Sequence, residues 1–194
     1  MRHLSLRCSV LFSVALLAGC QATPRDELRL VDGRVAAQLV HDDFDPYNIR
    51  ETYKVYHHLT APDGRLLTKG DGGKFEHHRG LFVGWNHTLW NGQDLDFWHM
   101  TDGATQRFGG FVDPKLLALD DDAQACEVRW QTKHGKVIVR ERRGLQLVAE
   151  GAEHYTVLLR VELTAPNGPV ELKPEQFKMI TKDVRGRVLV SAVE

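Results

Sequence analysis

The 194-residue chain is poor in cysteine, with three in all, and that scarcity excludes a disulfide framework. Cys8 and Cys20 flank an N-terminal apolar stretch. Cys126 is therefore the one thiol left to a folded domain, and a hydrophobic core must supply the stability. An excess of charge of one sign is also missing. The 25 Lys and Arg face 26 Asp and Glu, and such a balance excludes an electrostatic nucleic-acid binder. After Cys20 no apolar run approaches the about twenty residues that a spanning helix needs. There is no repeat of fixed period, no low-complexity tract and no long amphipathic helix. The Cys-x-x-Cys and helical His-x-x-x-His pairs that mark a strong metal site are absent too, so the sequence names no metal and no cofactor.

What is present begins with an address. Arg2, His3 and Arg7 form a basic start, Val10 to Ala18 an apolar stretch too short to anchor by itself, and Leu17-Ala18-Gly19-Cys20 a lipoprotein cleavage site. Residues 1–19 are thus expected to be a signal peptide. Cys20 is expected to carry the lipid that anchors the chain to a membrane, and 20–27 to be a lipidated tether. Gln21, standing where an Asp would favour inner-membrane retention, points to the periplasmic face of the outer membrane. Acyl chains contribute roughly 0.8 kcal/mol per buried methylene, so the folded part need not touch lipid.

From Leu28 the pattern has period two. Leu28–Val31, Arg34–Val40, Thr52–Leu59, Gly80–Trp85, Leu95–His99, Ala125–Thr132, Lys136–Arg143, Leu145–Glu150 and Tyr155–Leu163 read as strands. Turn signals such as Asp32-Gly33, Pro62-Asp63-Gly64, Asn91-Gly92 and His134-Gly135 separate them. Short antiparallel strands so punctuated predict an all-β sandwich over 28–194, galactose-mutarotase-like or jelly-roll-like. Cys126, in an alternating run, is expected to be a buried structural thiol. Asp120-Asp121-Asp122 reads as a solvated turn rather than a calcium loop.

Candidate chemistry is concentrated between residues 57 and 99. His57, His58, His77, His78, His87 and His99 share this segment with Arg79, Asp94, Asp96, Trp85, Trp90 and Trp98. Imidazole suits both metal ligation and proton transfer near neutral pH, and a core does not call for such density. Strand alternation over 77–87 would put His77, Arg79 and Trp85 on one face and His78 on the other, so the two adjacent histidines would diverge. Gly80 and Gly84 would leave room for a ligand or a close neighbour. Alternation over 94–99 would group Asp94, Asp96 and Trp98 opposite His99. A carboxylate beside an indole face is how proteins grip a sugar, the ring covering its apolar C–H face. His77 and His78 are the candidate catalytic acid and base. Arg79, Trp85, Asp96, Trp98 and His99 are the candidate substrate-binding groups.

Three blocks, Tyr56-His-His-Leu-Thr-Ala-Pro-Asp-Gly64, Gly72-Gly-Lys-Phe-Glu-His-His-Arg-Gly-Leu-Phe-Val-Gly-Trp85 and Asp96-Phe-Trp-His99, resemble an exported bacterial family commonly labelled PmoA. The likeness runs over about residues 28–172. It implies an all-β fold and a setting near sugar oxidoreductases, with no settled activity. It does not imply methane oxidation, since the methane monooxygenase subunit of that name has several spanning helices and this chain has none by its apolar runs. Family members run on past this chain's length, so a C-terminally truncated, partial sandwich is expected. Two functions follow as expectations: an enzyme acting on a carbohydrate ligand such as an oxidised sugar, or a non-catalytic surface lipoprotein that binds a glycan or protein partner.

Overall fold

A computed structural model describes residues 25–151 and 154–173. The signal, Cys20 and most of the tether lie outside the described residues, as does everything from 174 on. The strands run in the order β1 (Glu27–Arg29), β2 (Val35–Val40), β3 (Tyr56–Leu59), β4 (Thr88–Trp90), β5 (Gln93–Leu95), β6 (Thr105–Phe111), β7 (Gln124–Gln131), β8 (Val137–Glu150), β9 (Tyr155–Thr164) and β10 (Val170–Leu172). A single helical turn, α1 (Ile49–Thr52), precedes β3, and a 3-10 turn over Pro114–Leu117 follows β6. All strand pairings are antiparallel, in three sheets ordered β1-β2-β3, β10-β4-β5 and β6-β7-β8-β9.

The layers follow from alternation. Along β7, Cys126, Val128 and Trp130 are buried on one face, while Glu127, Arg129 and Gln131 look outward. The inward row packs with Leu39, Tyr53, Val55, Phe97 and Ile138. Leu28 and Ala37 of the first sheet meet Leu145 of β8 in a second cluster. The three-stranded sheet and the loops around it thus cover one face of the four-stranded sheet. Leu117 and Leu119 cover part of the other face through Ala125. The fold is an all-β antiparallel sandwich, as its period-two sequence predicts. Cys126 is 1% exposed, and burial pushes its thiol up to about 12, which fits an inert core group.

Several strand boundaries differ from the sequence expectation. The segments 136–143 and 145–150 form one strand, β8, because Gly144 continues the ladder. The strand expected from Thr52 starts at Tyr56. The strand expected at Gly80–Trp85 does not form, and of the one expected at Leu95–His99 only Leu95 is in a strand, as the last residue of β5. In the first, only Leu81 pairs, in an isolated bridge with His57. In the second, the ladder ends at Leu95 and the chain turns. The sequence expectation missed β4, β6 and β10. Thr88–Trp90 and Val170–Leu172 are too short to show a period, and β6 carries a Gly109-Gly110 bulge that breaks it.

Candidate functional site

Because 77–87 and 96–99 are loops rather than strands, their side chains do not alternate, and the two segments fold against each other. The glycines permit the approach. A Cβ at Gly80 would stand 2.2 Å from the His57 carbonyl oxygen, and one at Gly84 would stand 2.3 Å from that of Phe97. Both glycines therefore admit a neighbouring backbone rather than a ligand. Phe97 N–H donates to the Trp85 carbonyl at 2.7 Å and closes the junction.

Lys54 ties the two loops from below. It is 2% exposed, and its Nζ donates to the carbonyl of His77 at 2.7 Å and to that of Trp98 at 2.8 Å. The same Nζ lies 3.6 Å from the Phe82 ring centroid. Burial first, and then the charge of Arg79, push this ammonium down to about 6. No sequence motif marks Lys54; its role appears only once both loops are in place.

Above Lys54 the loops bring their rings together. The centroids of His77 and His78 are 4.2 Å apart and those of His77 and His99 4.4 Å apart, each pair edge to face. The adjacent histidines do not diverge, contrary to the strand reading. Trp98 continues the surface, 5.0 Å from Phe82 and 5.9 Å from His78, with the exposed Phe75 at 5.3 Å from His78. Partial burial is the main cause that holds His77 down to about 4, with His78, His99 and Lys54 adding repulsion. His78 is lowered as well, chiefly by burial. Both rings are therefore neutral at pH 7, each with one donor and one acceptor nitrogen.

Asp96 and His99 form the most defined pair of the site. The Asp96 Oδ1 accepts the backbone N–H of Trp98 at 2.9 Å and of His99 at 2.7 Å. Its Oδ2 lies 2.7 Å from His99 Nδ1. A carboxylate only accepts, so Nδ1 carries the proton and the neutral ring's base nitrogen is Nε2. His99 is exposed. A similar pair, His87 Nδ1 with Asp94 Oδ2 at 2.8 Å, lies on the β4–β5 hairpin.

The remaining sequence candidates are placed elsewhere. Arg79 is 2% exposed, and its guanidinium donates to the carbonyls of Glu76 at 3.2 Å, Glu51 at 2.9 Å and Arg50, beneath the Tyr53 ring. This binds the 76–79 loop to α1 and turns the guanidinium away from any ligand at the surface. Trp85 is half-buried against the core beside Trp130, 6.4 Å away, rather than in the imidazole cluster. His57 is in the core, where burial holds it down to about 3 and its Nε2–H donates to Gln124 Oε1 at 2.7 Å. His58 bonds Thr68 at 3.0 Å. Among the described residues no group of three or more His, Cys, Asp and Glu converges on a common metal position. Nor, among them, is any helix long and apolar enough to cross a membrane.

A family model described as "Family of unknown function (DUF6807)" matches residues 29–186. No curated protein and no solved structure matches the chain.

Proposed function

The chain belongs to the DUF6807 family, whose function is unknown, and we propose that it is an exported lipoprotein that binds carbohydrate and acts on it at the two loops carrying His77, His78, Trp98 and His99. One observation carries this reading. A run of rings from Phe82 through Trp98 to His78 continues into two further imidazoles, His77 and His99, the second fixed on a carboxylate. Such a surface covers the C–H face of a pyranose, and neutral imidazoles donate to and accept from its hydroxyls. His99, oriented by Asp96, takes a proton at Nε2 from a hydroxyl, or from a C–H made acidic by the carbonyl of an oxidised sugar. The Asp96 carboxylate stabilises the imidazolium that results. His77 and His78 serve the same ligand as neutral partners. The His-His-Arg-Gly and Asp-Phe-Trp-His blocks, which resemble the PmoA-labelled family, are the loops that meet here, and this supports placing the chemistry between them. The lipoprotein part rests on Leu17-Ala18-Gly19-Cys20, which would hold the site outside the cytoplasm, on the periplasmic face of the outer membrane.

The alternative, a surface lipoprotein that binds a glycan or protein without chemistry, has one observation in its favour. Asp96 also caps its own turn through two backbone N–H groups, a structural task that needs no reaction. The full chain tested against neutral sugars, glycosides and keto-sugars separates the two. Trp98→Ala is expected to abolish binding, while His99→Ala retains binding and loses turnover. Binding without turnover in the parent chain selects the alternative, and no binding to any sugar overturns the carbohydrate reading.

A further inference from the structure

The outer face of the four-stranded sheet carries a feature that stability alone disfavours. Arg107 of β6 stands directly opposite Arg129 of β7, and Arg129 directly opposite Arg140 of β8. Facing side chains on neighbouring antiparallel strands are about 5 Å apart, and like charges so placed repel. Two residues along, Arg142 joins the same face, and Lys133 and Lys136 stand in the β7–β8 turn at its end. On the strip from the β7–β8 turn to Arg142, six cations meet three carboxylates, Glu127 and Glu162 on the strands and Asp102 in the turn whose Gly103 abuts Lys133; Arg160 lies past the strip, opposite Gly144. Glu127 pairs with Arg129 at 2.8 Å and Glu162 with Arg142 at 3.3 Å. Arg107 is satisfied differently, its guanidinium carbon 3.2 Å from the centroid of the Phe44 ring. Arg140, Lys133 and Lys136 are exposed, with no carboxylate partner among the described residues.

The strip has a shape as well as a sign. On the same face the 3-10 turn and its loop rise over Ala125, carrying Leu117 and Leu119. Asp113, Asp120, Asp121 and Asp122 belong to that loop. The basic groups thus lie on a ledge crossing three strands, bounded by an acidic step. A flat anionic surface would press on that step and be repelled, whereas a single chain with regularly spaced negative charges fits along the ledge. The guanidinium fork engages carboxylates two N–H groups at a time.

We propose that the Arg107–Arg129–Arg140 ledge, with Lys133 and Lys136, docks an acidic polysaccharide through its repeated carboxylates. The proposal rests on the carbohydrate reading of the imidazole site only for its ligand class.

Affinity electrophoresis of the full chain through gels containing polygalacturonate tests it. The parent chain is expected to be retarded, and the retardation to fall with added salt. Arg140→Glu is expected to weaken binding about tenfold or more, by removing one carboxylate partner and adding a repulsion. The paired neutralisation Arg140→Gln with Lys136→Gln keeps the test open should Arg140→Glu unfold, which circular dichroism would reveal. Retardation equal in parent and neutralised chains overturns the ledge. So does equal retention by methyl-esterified polymer, by anionic phospholipid vesicles or by duplex DNA. Trp98→Ala separates this proposal from the first: it removes sugar binding at the loops and leaves the salt-sensitive retardation in place.

Discussion

The carboxylate of Asp96 holds both ends of His99, accepting its backbone N–H at 2.7 Å through one oxygen and its ring Nδ1–H at 2.7 Å through the other. One carboxylate three positions back thereby fixes the rotamer and the tautomer of an exposed imidazole. Asp96→Asn is the discriminating substitution. The amide oxygen can keep the backbone bonds, but its NH2 then faces Nδ1 and favours the tautomer protonated at Nε2. Nitrogen-detected NMR of the His99 ring should show the proton moving from Nδ1 to Nε2. Thermal stability should fall by only about 1 kcal/mol, and any turnover of a sugar substrate should fall by about 10²-fold or more. An unchanged tautomer would show that Asp96 merely caps the turn.

How much of this was legible in the sequence depends on the range of the interaction. The alternation of Cys126, Val128 and Trp130 was enough to read β7, since each residue's environment follows from its neighbours along the strand. The density of histidine between 57 and 99 was likewise visible. What could not be read was the assembly. Gly80 and Gly84 sit in segments whose composition suggests strands, yet each serves a backbone contact with a residue more than ten positions away. Once those contacts form, alternation no longer decides which side chains meet, so His77 joins His78 instead of opposing it and Asp96 joins His99. Arg79 looked like a ligand group because its type binds carboxylates and hydroxyls, but its donors are spent on three carbonyls. Lys54 carried no signal at all, since a lysine beside a valine and an aromatic reads as an ordinary strand position.

The buried Lys54 makes stability depend on pH in a definite direction. Its folded value of about 6 lies below the ordinary 10.5. Between these limits the unfolded chain holds a proton that the folded chain lacks, so stability rises with pH across that window. The slope approaches about 1.4 kcal/mol per unit where the two states differ by a full proton. His57 and His77, held down to about 3 and about 4 against 6.5, act the same way in a lower window, and their stability is lost as pH falls from about 6.5 to their folded values. Melting temperatures of the parent chain should therefore climb from pH 4 to pH 9. Lys54→Met should flatten the curve above pH 6.5 and leave its acid limb, while also loosening the His77 and Trp98 loops, whose carbonyls lose their donor. A parent curve that is flat from pH 7 to 9 would mean that Lys54 stays charged in the fold.

An ion pair is buried within the core. Glu141 and Arg143 are both fully buried, joined by a 2.5 Å bond from Arg143 Nε to Glu141 Oε1. Glu141 Oε2 accepts from Trp130 Nε1 at 2.8 Å, and Arg143 Nη1 donates to the Val55 carbonyl at 3.1 Å. The network thus ties β8 to β7 and to the segment that carries Lys54 into the site. Burying two charges costs much of what their attraction returns, so the pair itself contributes little. Removing one partner is different, because it leaves the other uncompensated. Glu141→Gln should strand the guanidinium and destabilise the fold by about 3–5 kcal/mol in chemical denaturation. Replacing both, with Glu141→Leu and Arg143→Met, removes the stranded charge along with its partner and should cost clearly less. If the single substitution proves as mild as the double, water must reach Arg143 in the fold, and the rigidity it lends to Val55 and Lys54 would have to come from packing alone.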